Sequence, residues 1–343
     1  MSNVLTKQKL TKRVVICLAI LAAVMCLCCL IGTQKISLEK VFAGPGKTAG
    51  ENVDYEILVS VRLPRVVLAA LVGAALACSG VVLQAILRNP LADPYILGIS
   101  SGAGLGVIIA IISGVSWTFW GGSPIAIAAF AGAIITVWLV WYIGHLTGKS
   151  QVTNLLLAGV VVNAFFAAVI MFLTSIAKSE QVYSTIFWLM GNITEKNPPV
   201  LWVSAICILA GIISLFSVCY RLNALSFGEQ EAQGLGIDIN KTKILAFGWA
   251  AFITAVAVSL SGLIGFVGLI IPHAVRLVLG PDHRQLLPVS AIFGSIFLVA
   301  ADTLARIIVS PAQLPVGIIT AIAGGPFFLV LLAGYSRKVS WLR

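Results

Sequence analysis

Long apolar runs recur along the whole of this chain, and they restrict its fold more than any other feature. Crossing a bilayer as a helix takes roughly 20 apolar residues, and most of the runs have about that length. Only 10% of the residues are charged and 59% are hydrophobic, whereas soluble domains carry about 25% charged residues. The pattern predicts an all-α polytopic membrane protein with about ten transmembrane helices, in a single transmembrane domain over residues 1–343. The expected spans are 14–31, 64–87, 95–113, 124–143, 155–175, 201–219, 244–260, a short segment from 269, 287–308 and 316–334.

Basic residues indicate how these spans are oriented. Lysine and arginine accumulate in alternate links, and such links face the cytoplasm by the positive-inside rule. Both termini are then cytoplasmic, and the first run, which follows Lys12 and Arg13, is expected to be an uncleaved helix rather than a signal peptide. The net charge of +10 is dispersed along the chain. Without a basic stripe, no nucleic-acid partner is expected.

One polar segment, residues 221–243, interrupts the apolar pattern between the sixth and seventh spans. Ser226 precedes Glu229 by three residues, the spacing of a capping box, which predicts a short helix starting at Ser226. Gly234 and Gly236 are then expected to end that helix and turn the chain. A short helix on the cytoplasmic face indicates a docking element for another protein.

The sequence carries no pattern for catalysis, cofactor binding or metal binding. Its three histidines are far apart and none lies in an H-E-x-x-H motif. The seven cysteines lie in apolar runs, where they are expected to pack as small hydrophobic residues. Residues 44–48 resemble the end of a Walker A loop, but Val41 stands where that motif needs glycine. We therefore expect neither an enzyme nor an ATP-binding chain.

A few polar side chains lie in or beside the spans. Asp302 and Arg306 are four residues apart on one predicted helix, so they can face each other near its outer end. Arg62 and Arg65 are expected at the same level. Two readings stay open: a self-contained ion pair, or an arginine rim that docks carboxylates of a soluble partner. Asn163, in the middle of the fifth span, either bonds another helix or lines a pathway.

Two short segments give a faint internal repeat. ALACSG at residues 75–80 is similar to VAVSLSG at 256–262. Duplicated halves are common in transporters, although apolar sequences match easily by chance. The repeat alone therefore carries little weight.

Specific motifs from residue 62 to the end resemble one family. They are RLPRVVLAALVGAALACSGVVLQAILRNPLADPYILGISSGAGLG (62–106), LLLAGV (155–160), FWLMGNI (187–193), GEQEAQGLGI (228–237), GLIGFVGLIIPHAVRLVLGPDHRQLLPVSA (262–291), ADTLAR (301–306) and LPVGIITAIAGGPFF (314–328). The chain resembles the permease subunits of bacterial ABC importers for ferric siderophores, haem and cobalamin, the iron-chelate/cobalamin permease family. That resemblance implies a cobalamin-importer-permease-like fold of ten helices in the cytoplasmic membrane.

The resemblance also implies partners and their sites. The expected partners are a cytoplasmic ABC ATPase dimer, an extracytoplasmic substrate-binding protein, a second permease subunit that is identical or paralogous, and an iron-chelate substrate. Residues matching the family's functional positions fall into three sets. They are Arg62, Arg65 and Arg306 for binding-protein docking, Ser226, Glu229, Glu231, Gly234 and Gly236 for ATPase coupling, and Asn89, Leu91, Val152 and Thr153 for a cytoplasmic gate.

The function implied is ATP-driven import of a ferric siderophore by alternating access, with ATP hydrolysed by the separate ATPase. Haem or cobalamin is the alternative cargo. A secondary transporter driven by ions would carry acidic residues or histidines deep in several spans, and only Asp302 comes near such a position. A membrane enzyme is a third alternative, without a residue constellation to support it.

Overall fold

The computed structural model of the protein describes residues 6–46, 52–115, 123–146, 151–193 and 198–340, with the backbone alone at 151–153 and 331–340. These residues are mostly helical and contain no β-strand. The helices are α1 (Lys7–Leu30), α2 (Leu38–Phe42), α3 (Val53–Glu56), α4 (Leu63–Ile86), α5 (Ile99–Ile112), α6 (Pro124–Leu146), α7 (Gln151–Ile176), α8 (Ser179–Leu189), α9 (Pro198–Ser217), α10 (Cys219–Leu225), α11 (Glu229–Gly234), α12 (Ile239–Ser261), α13 (Val267–Leu279), α14 (His283–Ile307) and α15 (Val316–Ser340).

The all-α fold class predicted from the sequence is confirmed. Among the described residues, seven helices are long and apolar enough to cross a membrane, and three shorter apolar helices, at 99–112, 267–279 and 316–330, supply the other predicted segments. The sequence placed two boundaries wrongly. Helix α4 is preceded without a break by α3 and a π-helical stretch, Ile57–Arg62, so this span begins at Val53 rather than Pro64. Helix α5 begins only at Ile99, because Gly98 adopts φ +76° and stops the preceding turn.

Helix α4 is the centre of the bundle. In the most apolar stretch of α4, 89% of the residues are buried, against 11% in α1, and α4 packs against α14, α12 and α13. An apolar helix that is buried around its whole circumference is a core helix rather than a lipid-facing one. The position of α4 therefore decides where the residues at its two ends lie.

Glycine residues set the distances between the central helices. A side chain at Gly73 would overlap the carbonyl oxygen of Gly294 in α14, and one at Gly80 would overlap that of Gly268 in α13. Gly102 of α5 approaches Gly132 of α6 in the same way. In lipid there is no hydrophobic driving force between helices, so close backbone packing of this kind is a main source of helix association.

Candidate docking and coupling sites

An arginine cluster, which we define as Arg62, Arg65, Arg306 and the carboxylate of Asp302, lies where α4 begins and α14 ends. Arg65 donates to both carboxylate oxygens of Asp302, with Nη2 at 2.9 Å from Oδ1 and Nε at 3.1 Å from each oxygen. Arg306 lies on the other side, with Nε at 3.2 Å from Oδ2, and donates from Nη2 to the hydroxyl of Thr303 at 3.0 Å. One carboxylate shared by two guanidinium groups leaves this group with net positive charge.

Arg62 is held differently, by the end of α1. Its guanidinium donates to the backbone carbonyls of Cys29, Leu30 and Gln34. These are carbonyls at or just beyond the last turn of a helix, which carries partial negative charge. Arg62, Arg65 and Arg306 are only 4%, 8% and 6% exposed in the single subunit. The predicted rim is therefore not a set of free surface cations, and its role in docking stays a prediction.

The polar segment 221–243 folds at the opposite end of α4. Helix α11 begins at Glu229 after Gly228, whose φ is +141°. Ser226 ends α10 instead, and its hydroxyl donates to the carbonyl of Asn223. The predicted start of this helix at Ser226 is wrong, because the helical turn of α10 continues up to that residue. The predicted stop is confirmed: Gly234 is the last residue of α11, and Gly236 turns the chain at φ +78°.

Two kinds of contact define the surface of α11. Its first residue, Glu229, accepts from Nζ of Lys243 at 2.9 Å and lies 3.9 Å from Nη2 of Arg88, which ties it to α12 and to the end of α4. Phe227 and Leu235, which flank the helix, are 80% and 66% exposed. Both are large apolar side chains exposed on an otherwise polar segment of the single subunit.

Hydrogen bonds connect α10 to the start of α14. Asn223 of α10 donates to Asp282 Oδ1 at 2.8 Å and accepts from the backbone amide of His283 at 2.8 Å. Arg284 donates to both oxygens of Asp282. Partial burial would raise the pKa of Asp282, but the hydrogen bonds from Arg284 and Asn223 more than offset it and lower the pKa to about 2. The sequence did not predict these hydrogen bonds, because Asn223 and Asp282 are distant in the chain.

The residues predicted to form a cytoplasmic gate lie at the same end as α11, as far as the structure describes them. Asn89 closes the turn after α4, accepting from the amide of Leu91 at 2.9 Å, and Leu91 is exposed. Val152 and Thr153 fall in the first turn of α7, but their side chains lie outside the described residues. The gate stays a prediction.

The remaining polar residues have simple environments. His145 bonds the carbonyl of Trp141 in its own helix, and His283 contacts Asn223. Within the described part of the chain, no group of three or more His, Cys, Asp or Glu residues could hold a metal ion. Gly44 begins the Walker-like stretch in a turn after α2, whereas Lys47 and Thr48 lie outside the described residues. Asn163 is exposed in the single subunit and lines a cavity, and its two predicted roles stay predictions.

Known proteins identify the class to which this fold belongs. In a solved structure of an inward-facing metal-chelate type ABC transporter, the similar chain is 32% identical, with a TM-score of 0.78 over 92% of this chain and 97% of that one. The helical architecture is thus that of an ABC transporter permease. The FecCD transport family matches residues 20–334, and the chain belongs to that family.

Three curated relatives illustrate the family's range. The cobalamin import system permease BtuC of Halobacterium salinarum is 45% identical, covering 86% of this chain and 78% of the relative. The hemin transport system permease HmuU of Yersinia pestis is 38% identical, covering 83% and 85%. The iron(3+)-hydroxamate import permease FhuG of Bacillus subtilis is 34% identical, covering 88% and 90%. The resemblance noted in the sequence is confirmed by these matches.

Proposed function

We propose that this protein is the membrane-spanning permease of an ATP-driven importer that moves a ferric siderophore across the cytoplasmic membrane by alternating access. Two permease subunits, identical or paralogous, enclose the pathway, and separate ATPase subunits hydrolyse ATP. A binding protein delivers the chelate from outside. The observation that carries the proposal is family membership across nearly the whole chain, together with structural similarity to a metal-chelate type ABC transporter.

The ATPase contact is assigned to α11 and its flanks. The helix is short and capped by glycines, and it ends one turn from α12, with which Glu229 pairs through Lys243. A push on α11 is therefore transmitted to α12 and, through Arg88, to the end of α4. Phe227 and Leu235 supply apolar anchors of the kind that dominate contact energies. Glu231, which is exposed, adds a charge to the same surface.

The binding-protein contact is assigned to the arginine cluster. Its net positive charge attracts carboxylates, and arginine binds a carboxylate in bidentate geometry. Because Asp302 already holds Arg65 and Arg306, an incoming glutamate competes with an internal ion pair. That competition gives a docking event a direct effect on the ends of α4 and α14. The cluster then lies outside and α11 lies in the cytoplasm, with both termini cytoplasmic, as the positive-inside rule requires.

A second permease subunit is expected to cover part of the apolar surface. Phe165, Met171 and Phe172 of α7 are each more than 60% exposed. A face of this composition fits either lipid or another subunit, and the partnership with a second permease follows from the family. Asn163 on the same helix is a polar residue that lipid would not accommodate.

The cargo is the least constrained part of the proposal. The three relatives named above are called permeases for cobalamin, hemin and iron(3+)-hydroxamate. Haem and cobalamin are therefore the alternative cargoes.

The test is the ATPase activity of the permease reconstituted with its candidate ATPase. Binding protein loaded with a ferric siderophore is expected to stimulate hydrolysis, and the double variant Arg62→Glu/Arg306→Glu is expected to abolish that stimulation. Stimulation by haem-loaded or cobalamin-loaded binding protein alone would keep the mechanism and change the cargo. Uptake that follows an ion gradient, without stimulation by any loaded binding protein, would support a secondary transporter and contradict the proposal.

A further inference from the structure

Two helix interruptions meet inside the bundle. After α4 the chain turns back and enters α5 through a single 3₁₀ turn, Pro94–Leu97, whereas after α12 it enters α13 through the irregular residues 262–266. Both following helices are short, with 14 and 13 residues. Non-helical backbone at membrane depth occurs only where protein buries it or where it lines a cavity.

A cavity of about 460 Å³ lies where the two interruptions meet. Its polar lining residues come from the first interruption, from the start of α5 and from α7: Asp93, Tyr95, Ser100 and Asn163. The second interruption contributes Phe266, which is held at φ +70°, a conformation that costs energy for a residue with a side chain. A hydrogen bond joins the two interruptions, from the amide of Ile264 to the hydroxyl oxygen of Tyr95 at 2.7 Å.

Ser100 is the residue that points to a ligand. It is 8% exposed, it lines the cavity, and its Oγ has no hydrogen-bond partner among the described residues. Its neighbour Ser101 behaves as serines in helices usually do, donating to the carbonyl of Gly98 one turn back at 3.0 Å. A buried hydroxyl left without a partner costs about 1–3 kcal/mol. Such a group at a cavity wall is explained if a bound molecule supplies the partner.

Charge limits which molecule that is. The N-termini of α5 and α13 face the region of the interruptions, and helix N-termini attract anions. Here Asp93 already provides the anion, since its Oδ1 caps the 3₁₀ turn by accepting from the amide of Tyr95 at 2.9 Å. A second carboxylate in the cavity would be repelled by the carboxylate of Asp93. An uncharged group that both donates and accepts hydrogen bonds meets no such repulsion.

We propose that this cavity is a cargo-binding subsite on the transport pathway and that it takes the uncharged amide groups of a chelate. The hydroxyl groups of Ser100 and Tyr95 donate to amide carbonyl oxygens of the cargo, and Asp93 and Asn163 accept from its amide N–H groups. The subsite selects against cargo that presents carboxylates there. This inference rests on the proposed importer function and narrows its cargo.

The experiment uses the complete importer in proteoliposomes, with its binding protein. The probes are a neutral ferric trihydroxamate and the same chelate carrying one added carboxylate, and both ATPase stimulation and uptake are measured. Ser100→Ala is compared with Ser101→Ala, its matched control in the same helical turn. Asp93→Asn keeps a capping side chain and removes the charge. Because the binding protein is unchanged throughout, its own preference cancels when variants are compared.

Ser100→Ala is expected to lower uptake of the neutral chelate roughly fivefold, the effect of one hydrogen bond, while ATPase stimulation stays within about twofold. Ser101→Ala is expected to change neither. Asp93→Asn is expected to raise the uptake of the carboxylate-bearing chelate relative to the neutral one. Normal or increased uptake by Ser100→Ala, an equal loss in Ser101→Ala, or an unchanged uptake ratio in Asp93→Asn would overturn the subsite and leave the importer intact. A wild-type complex that shows neither ATPase stimulation nor uptake would overturn both the subsite and the proposed importer function.

Discussion

At the scale of single residues, Asp302 has the most consequential environment. It is 1% exposed and is paired with Arg65 and Arg306, which are themselves buried. A buried ion pair adds little net stability compared with an apolar group of the same shape, but removing one partner leaves a buried charge. Removing the Asp302 carboxylate is therefore expected to cost more stability than its ion pairs contribute.

Replacing the carboxylate should be costly. Asp302→Ala is expected to lower the free energy of unfolding by about 3–5 kcal/mol, because two buried guanidinium groups lose their counter-ion. The measurement is the unfolding midpoint in detergent micelles. The control is the triple variant Arg65→Met/Asp302→Leu/Arg306→Met, which removes every charge together and is expected to recover most of the loss. A single variant as stable as the wild type would contradict the buried pairing.

Asp282 offers a second test, based on pH. Its pKa in the folded protein is lowered from 3.8 to about 2, so the stability it contributes is fully present above about pH 4 and is lost as pH falls through 2. Asp282→Ala is expected to unfold more easily than wild type, by an amount that is constant from pH 8 to 5 and shrinks only below about 4. Unfolding midpoints across this range check the prediction, with the exposed Glu39→Ala as control. A difference in unfolding midpoint between wild type and Asp282→Ala that changes between pH 5 and 8 would contradict the prediction.

At the scale of elements, the short helix α11 depends on its glycines for its position. Gly236 has φ +78° and Gly234 does not have a positive φ, yet a side chain at either would meet no atom within 4 Å. Any difference between alanine substitutions at the two sites therefore comes from backbone conformation rather than from a clash. A left-handed residue with a side chain costs about 1–2 kcal/mol.

The two glycines form a matched pair for testing ATPase coupling. Gly236→Ala is expected to reduce the ATPase recovered with the permease and to reduce its stimulated activity, because the exit from α11 toward α12 shifts. Gly234→Ala is expected to leave both near wild type. The measurement is copurification of the two subunits followed by stimulated hydrolysis. Equal behaviour of the two variants would argue that the turn at Gly236 does not position α11.

At the scale of the whole molecule, α4 holds the bundle together by close packing. The contacts of Gly73 with Gly294 and of Gly80 with Gly268 bring α14 and α13 to backbone contact with it. Polar bonds add to this: the hydroxyl of Ser79 donates to the carbonyl of Ala250, and Thr254 donates to the Ser79 oxygen, both at 2.9 Å. The ends of α4 carry the arginine cluster and Arg88, so a shift of this helix would move both proposed contact sites together.

A methyl group placed in this packing should separate the helices. Gly73→Ala is expected to destabilise the protein by about 1–3 kcal/mol, as overpacking usually does, and to reduce transport. Gly248→Ala in α12, where a side chain would meet no atom within 4 Å, is the control and is expected to be neutral or slightly stabilising. Unfolding midpoints of the two variants decide the matter, and an unaffected Gly73→Ala would mean that α4 and α14 are less closely packed than described.

The sequence by itself determined the number and character of the apolar helices and the glycine stop of α11. Both follow from properties of neighbouring residues: apolar length decides whether a segment is stable as a buried helix, and glycine alone adopts a positive φ without cost. The position of the arginines near Asp302 was also accessible, since Arg306 lies one helical turn from it. The family resemblance rests on such local motifs as well.

Only the tertiary structure decided which groups those arginines contact and where the cavity lies. Arg65 meets Asp302 across 237 positions of sequence, and Arg62 meets carbonyls of a helix that no local pattern linked to it. Tyr95 meets Ile264 across 169 positions, and this contact brings two helix interruptions together around the unpartnered Ser100. Contacts of this kind depend on how whole helices pack, and the same residues in another packing would have been exposed.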